Sequence, residues 1–364
     1  MLENAKISYR YLIGIIAMTI SPTAILYLPT LNYKEAKHDS WMSVIVVMVF
    51  GLLVVVLVTA LGKMYPGKTI MQYSTDILGK VLGKIIGLVI CLYFIYINAT
   101  ILREFAEMLA GPFMQNTNIM VFTIGIILPS IYALYKGFEV VARVNVIIFP
   151  IFMLSIFLIM LLGLENMDFT RLTPILEKGI EPVLKGAYRQ LIWFGETFVL
   201  TMLIPYIDMP GKVRKISLIA VALVALLGVT INIDIVTTFG DRTETLTYPF
   251  LSLARYIQFG KFLERMDSLL MIIWIAGVFI KITIFYYCSV LGIAQLLNLK
   301  HYATPTIPVG ICLVLLSSYL WPSLSAVKYE LAYIAILPYT LVQFCIPLLL
   351  WTIASIKRRF SHEN

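Results

Sequence analysis

Long apolar runs, each sufficient to cross a bilayer and joined by short polar links, recur along almost the whole chain, and nothing else in the sequence limits its folding as strongly. A helix of about 20 residues spans the hydrocarbon, where only helices and closed barrels satisfy their own backbone polar groups. About ten spans are predicted, near 10–31, 41–62, 85–110, 118–136, 144–163, 187–207, 213–240, 266–299, 306–325 and 331–356. The third and eighth exceed a perpendicular crossing and must tilt or project beyond the lipid. The first run continues to Leu31 without a small-residue cleavage pattern, so it reads as a retained span and not a leader. The expected class is therefore an all-α integral membrane protein, one membrane domain over 1–364 with no soluble domain attached.

Composition and charge agree. Hydrophobic residues make up 60% and charged residues 13% of the sequence, against about 25% charged in a soluble domain. The net charge of +8 is scattered between apolar runs and forms no basic stripe, so membrane lipid is expected as a partner and nucleic acid is not. With the N-terminus inside, cytoplasmic segments hold fifteen basic residues and five acids, whereas the outer links hold eleven of each. That asymmetry predicts cytoplasmic termini, with 164–186 and 241–265 as outer links. Each of those links can hold short interfacial helices, either as an outer lid or as plain connectors; the second runs through Tyr248-Pro249-Phe250 to Phe262. On the inner side, Pro66-Gly67 reads as a turn before a surface segment capped by Thr69.

Motifs for catalysis are missing: there is no His-Glu-x-x-His, no Gly-x-Ser-x-Gly, and the glycines and lysines at 79–84 lack phosphate-loop spacing. Cys91, Cys288, Cys312 and Cys345 sit in apolar runs, and His38, His301 and His362 are scattered, so neither a metal site nor a cofactor is expected. An enzyme is not expected.

Two spans carry interruptions. The first holds Ser21-Pro22-Thr23, where Pro22 lacks an amide to donate and predicts a break near mid-membrane. The sixth holds Trp193-Phe194-Gly195-Glu196-Thr197 and ends at Pro205. Each can be an ordinary kink or close-packing device. Together, in equivalent spans of two five-span halves, they predict a binding site built on exposed backbone.

Ten spans, interrupted first and sixth spans and a lysine-bearing eighth span resemble the amino acid–polyamine–organocation transporter superfamily. More narrowly, Trp274-Ile275-Ala276-Gly277-Val278-Phe279-Ile280-Lys281-Ile282 and Pro205-Tyr206 resemble the endospore germination permeases, the B subunits of spore germinant receptors. The resemblance implies a LeuT-like 5+5 inverted repeat with broken first and sixth helices, here 1–163 and 187–356 with a cytoplasmic tail at 357–364. It also implies a small-molecule germinant as ligand, A and C subunits as partners, and the spore inner membrane as location. One departure is that Ser21-Pro22-Thr23 stands where amino-acid transporters of the superfamily carry glycine-rich backbone, so hydroxyls replace amides.

Ionisable groups within spans cost about 2.5–3.5 kcal/mol each and need a reason. At about 1.5 Å per residue, Glu196 lies nine residues into its span and near the midplane, and Lys281 lies fifteen residues into its own, toward the cytoplasmic half. Glu196 is expected to hold a cationic group or a proton. Lys281 is expected where sodium binds between spans one and eight in sodium-coupled relatives. The alternative is a structural tether in which each charge neutralises a partner. Arg103 and Glu107 are spaced for i,i+4 pairing, and Asp234 is expected to reach outer water. Ser21, Thr23, Gly195, Tyr93, Tyr96 and Asn98 of span three, and Thr283 and Tyr287 of span eight complete the expected pocket, with Trp193 as a gate. Trp41, Trp321 and Trp351 fit an interfacial belt. A ligand-sensing receptor subunit, or a proton-coupled or facilitative amino acid permease, accounts for such a site.

Overall fold

The computed structural model describes residues 6–257 and 266–362; the part of the expected outer lid that reaches Phe262 lies outside the described residues. The architecture is helical, with one isolated parallel bridge, Ile7 to Ile207, among the described residues. Seven stretches of these residues are long and apolar enough to cross a membrane by themselves. One of them, Tyr9–Met64, is 56 residues long, about 84 Å as a straight rod and far too long for one crossing. Lys37, at φ +51°, divides it into α1 (Leu12–Ala36) and α2 (Ser40–Met64). Both halves pack against the same two later helices, so the chain folds back on itself.

A short helix, α3 (Ile70–Leu78), follows. Thr69 caps it in a reciprocal box with Gln72, after a turn through Gly67 at φ +74°. Next come α4 (Lys80–Ala110), α5 (Ile119–Lys136) and α6 (Phe138–Gly163). Between α5 and α6 only Gly137 intervenes, at φ +95°, where a side chain would be strained. The sixth span is broken: α7 (Glu181–Phe194), a 3₁₀ stretch Gly195–Val199, α8 (Leu200–Leu203) and a further 3₁₀ turn at Ile204–Tyr206. Then come α9 (Pro210–Phe239), the short helix α10 (Pro249–Tyr256), α11 (Met266–Leu296) and α12 (Thr306–Tyr319). A turn-and-a-half helix, α13 (Leu324–Tyr329), precedes the tenth span. That span contains two π turns, Glu330–Ile334 and Leu341–Cys345, around α14 (Ile336–Thr340), and ends in α15 (Ile346–His362).

The first span corrects the sequence expectation. It is one α-helix from Leu12 to Ala36, running through both Pro22 and Pro29. A proline removes a single donor, and packing supports the helix on either side: Trp274 donates to the Pro22 carbonyl at 2.7 Å. Of its 25 residues, 21 are buried, so α1 is the axis of the bundle and touches α2, α7, α9 and α11. By contrast α6 buries only eight of 26 residues and turns the rest outward. Asp234 is a second correction: it is fully buried, not in outer water, and accepts from Thr238 at 3.3 Å. Of the belt tryptophans, Trp321 is instead packed against Tyr96, their rings 5.7 Å apart. The outer links do form short helices: 3₁₀ turns at Leu164–Asn166 and Phe169–Leu172, and α10, whose Phe250, Leu251 and Leu253 are buried against the bundle.

Candidate functional site

Thr23, Glu196 and Lys281 come from three different spans and meet at one point. The Lys281 ammonium donates to both Glu196 carboxylate oxygens at 2.9 and 2.8 Å and to Thr23 Oγ1 at 2.7 Å. All three side chains are buried. Trp193 Nε1 also donates to Thr23 Oγ1, at 3.1 Å, so this hydroxyl accepts two bonds. A charge taken out of water is tolerated when it is paired and its remaining valences are filled, and this ammonium has three acceptors for its three protons. The separate depths inferred by counting along each span are therefore wrong in one respect: Glu196 and Lys281 lie at the same level, in direct contact.

Helical spacing explains what gathers here and what does not. On a continuous helix, residues two apart point about 200° apart, so Ser21 and Thr23 face opposite ways. Thr23 enters the cluster, whereas Ser21 lines a narrow crevice with Phe194, Val224 and Asn232. The same rule sends Thr283 away from Lys281; its hydroxyl bonds Ser130 on α5 at 3.1 Å. Tyr287 stacks on Phe138 at 4.4 Å, on the α6 side and toward the inner face. Trp274, Lys281 and Phe285 do share a face, and that face meets α1 and α4.

Helix α4 brings two kinds of polar group. Tyr93 accepts from Gln343 at 2.8 Å, and Gln343 also donates to the Ile192 carbonyl at 2.9 Å, beside the break in the sixth span. Tyr96 instead points outward and donates to Glu330 at 2.5 Å. Asn98 faces α11. The ring pairs Phe94–Phe285 at 6.3 Å and Phe105–Trp274 at 5.8 Å set an antiparallel register. One turn from the first pair along each helix, Asn98 is level with Lys281. Its side chain is fully buried, and neither amide atom has a partner. Glu104 Oε1, two turns further out, is likewise buried without a partner. Buried polar atoms are paired in most proteins, so Asn98 and Glu104 keep hydrogen-bonding capacity that no protein group takes up among the described residues. Arg103 takes the predicted pairing, reaching Glu107 at 2.6 Å, and bonds the Ser317 and Ser318 carbonyls of α12 at 3.2 Å.

Gly195 has a definite neighbour. A Cβ there would lie 2.0 Å from Gln343 Oε1, so the glycine is the notch that admits Gln343 and does not face a first-span break. Sequence reasoning missed Gln343 and Glu104 as site residues. The available signal was a lone amide in Leu341-Val342-Gln343-Phe344, but the π turn that swings it inward has no sequence signature.

With this geometry in view, the solved structures it resembles define its class. A nucleobase-cation-symport-1 family transporter, Mhp1, in a closed conformation with bromovinylhydantoin bound, superposes with a TM-score of 0.69 at 10% identity, covering 90% of this chain and 74% of that one. MhsT in complex with L-phenylalanine gives 0.61 at 11% identity, covering 96% and 99%. The protein thus has the LeuT-type inverted-repeat fold of membrane transporters. Within that class, a family model described as "Spore germination protein" matches residues 6–323. Spore germination protein KB of Bacillus subtilis (strain 168) is 31% identical over 323 residues, 87% of this chain and 85% of the relative. The chain belongs to the spore germination protein family.

Proposed function

We propose that this protein is the solute-sensing membrane subunit of a spore germinant receptor. It binds a small polar germinant, an amino acid or similar solute, at the level of Lys281, and this triggers germination through A and C subunits in the spore inner membrane. The observation that carries the reading is the tie of Thr23, Glu196 and Lys281 beside the unpartnered amide of Asn98. Changing how Lys281 divides its protons between Glu196 and a solute changes how α1, the broken sixth span and α11 are held together.

In this reading Lys281 is a fixed cation replacing a coupling ion. Its ammonium neutralises the Glu196 carboxylate and fills Thr23 Oγ1, the roles a bound cation would have, so solute binding proceeds without sodium. The family and the transporter fold support the reading, and the fold also favours a second one, a permease that cycles the solute across the membrane. The two separate in proteoliposomes holding the full chain, probed with a panel of labelled amino acids, nucleosides and sugars. The receptor reading expects saturable binding, indifferent to sodium, without sustained uptake. Accumulation by the chain alone supports the permease, and a sodium requirement overturns the role given to Lys281.

A further inference from the structure

We infer that the outer mouth of the bundle is a separate binding site for small carboxylate anions, with Lys328 as its receiving cation. A cavity of about 260 Å³ opens there between the outer end of α1, the link at 244–247 and α13. Two ammonium groups reach it, Lys34 from α1 and Lys328 from α13. Among the described residues neither has a carboxylate within ion-pair distance. The acid in the wall, Glu244, is already taken by Lys37 at 2.5 Å. Lys328 is left with one long bond to the Thr247 carbonyl, 3.3 Å. The cavity is therefore cationic, and its volume suits a solute of a few carbons. A mouth lined by one sign of charge concentrates solutes of the other sign.

The floor connects this site to the centre. Lys328 Nζ stands over the Tyr27 and Tyr248 rings, 5.6 and 5.7 Å from their centroids. Those rings pack on each other at 5.7 Å, and Tyr27 lines the cavity. Tyr27 lies one helical turn above Thr23, about 6 Å along α1, so the two rings separate the mouth from the Lys281 cluster. A carboxylate drawing Lys328 toward itself weakens its attraction to both ring faces and so loosens the two rings, which would act as a gate. That gating step rests on the central cluster being the solute site; the anion site itself does not.

Accessibility of an engineered thiol tests the site directly. Thr245 is exposed in the cavity wall, and a Thr245→Cys variant of the full chain in right-side-out vesicles is labelled with a membrane-impermeant polyethylene-glycol maleimide. The probes are glutarate and its uncharged counterpart of equal size, glutaramide. Glutarate is expected to slow labelling at a concentration at least about tenfold lower than glutaramide. Lys328→Ala removes that preference, and Lys328→Arg restores it, which separates charge from folding. In an Asn98→Ala background, which disables the central site, protection by glutarate persists. Equal protection by the two probes, no protection by glutarate, protection surviving Lys328→Ala, or protection lost with Asn98→Ala each overturns the anion site. Failure of the central reading shows differently: Asn98→Ala then leaves germinant binding unchanged.

Discussion

Two lysines of this protein occupy opposite electrostatic situations. Lys281 is fully buried and saturated, with a bidentate carboxylate and a hydroxyl. Lys328 is half-buried at the outer mouth and holds one carbonyl and two ring faces. The first cannot change partners without loosening three spans at once, whereas the second can exchange weak contacts for a solute at small cost. Saturation marks a residue on which the fold depends, and incomplete pairing marks one available to a ligand. Asn98 extends the lesson: it sits beside the saturated lysine but is itself unpartnered.

Removing Lys281 should give the largest effect. Lys281→Ala strips Glu196 of its counter-ion inside the bundle, and breaking a buried pair in this way costs about 3–5 kcal/mol. A large drop in thermal unfolding temperature and poor yield in detergent are expected. Lys281→Met combined with Glu196→Gln removes both charges and should recover most of that stability while abolishing germinant binding. If Lys281→Ala unfolds at the wild-type temperature, the contrast between the two lysines is void.

Next in size is the Gly195 notch. Gly195→Ala places a methyl 2.0 Å from Gln343 Oε1, and overpacking of this kind costs about 1–3 kcal/mol. Because Gln343 also bonds Tyr93 and the Ile192 carbonyl, its displacement disturbs both the broken sixth span and α4. The double variant Gly195→Ala with Gln343→Ala should be more stable than the single one, as measured by a double-mutant cycle. Additive losses would show that the two residues do not meet.

Glu196→Gln sharpens the comparison more gently. Keeping shape while removing the carboxylate charge and one of the three acceptors of Lys281, it should weaken germinant binding roughly tenfold, the scale of about 1.4 kcal/mol, and lower the unfolding temperature less than Lys281→Ala does. A germinant affinity equal to wild type would leave Glu196 a tether only.

Much of this was legible in the sequence because a bilayer enforces it. Apolar run length located the spans, and the cost of intramembrane charge singled out Glu196 and Lys281. Glycine and the adjoining carboxylate marked the real break, at Gly195–Val199. Pro22 misled because a missing donor does not by itself interrupt a helix whose neighbours pack on all sides and whose carbonyl Trp274 covers. Ser21 follows from the expected break at Pro22, and Thr283 and Tyr287 from depth alone. Depth along a span is nearly fixed by sequence, but the face a residue turns to depends on helix rotation, and that is set by packing. Gln343 depended on a π turn and Lys328 on a cavity between distant segments, neither of which leaves a local pattern.

The smallest expected effect is a pH dependence confined to the outer mouth. Burial, and then the charge of Lys34, bring Lys328 down to about 8 from the usual lysine value. Lys34 and Tyr27 face it from α1, Glu244 and Tyr248 from the outer link, and Tyr329 and Tyr333 from its own segment. Anion binding needs the protonated ammonium. It should therefore be at full strength below pH 8 and fall as pH rises through and above that value, by up to about tenfold per unit while the bound carboxylate holds the proton on. Glutarate keeps both its charges over this range, so a decline between pH 7 and 9 in its protection of Thr245→Cys reports on the protein. Lys328→Arg stays charged throughout and should flatten the profile. A profile for Lys328→Arg that declines as steeply as that of the wild type would place the titrating group elsewhere and remove Lys328 from the comparison.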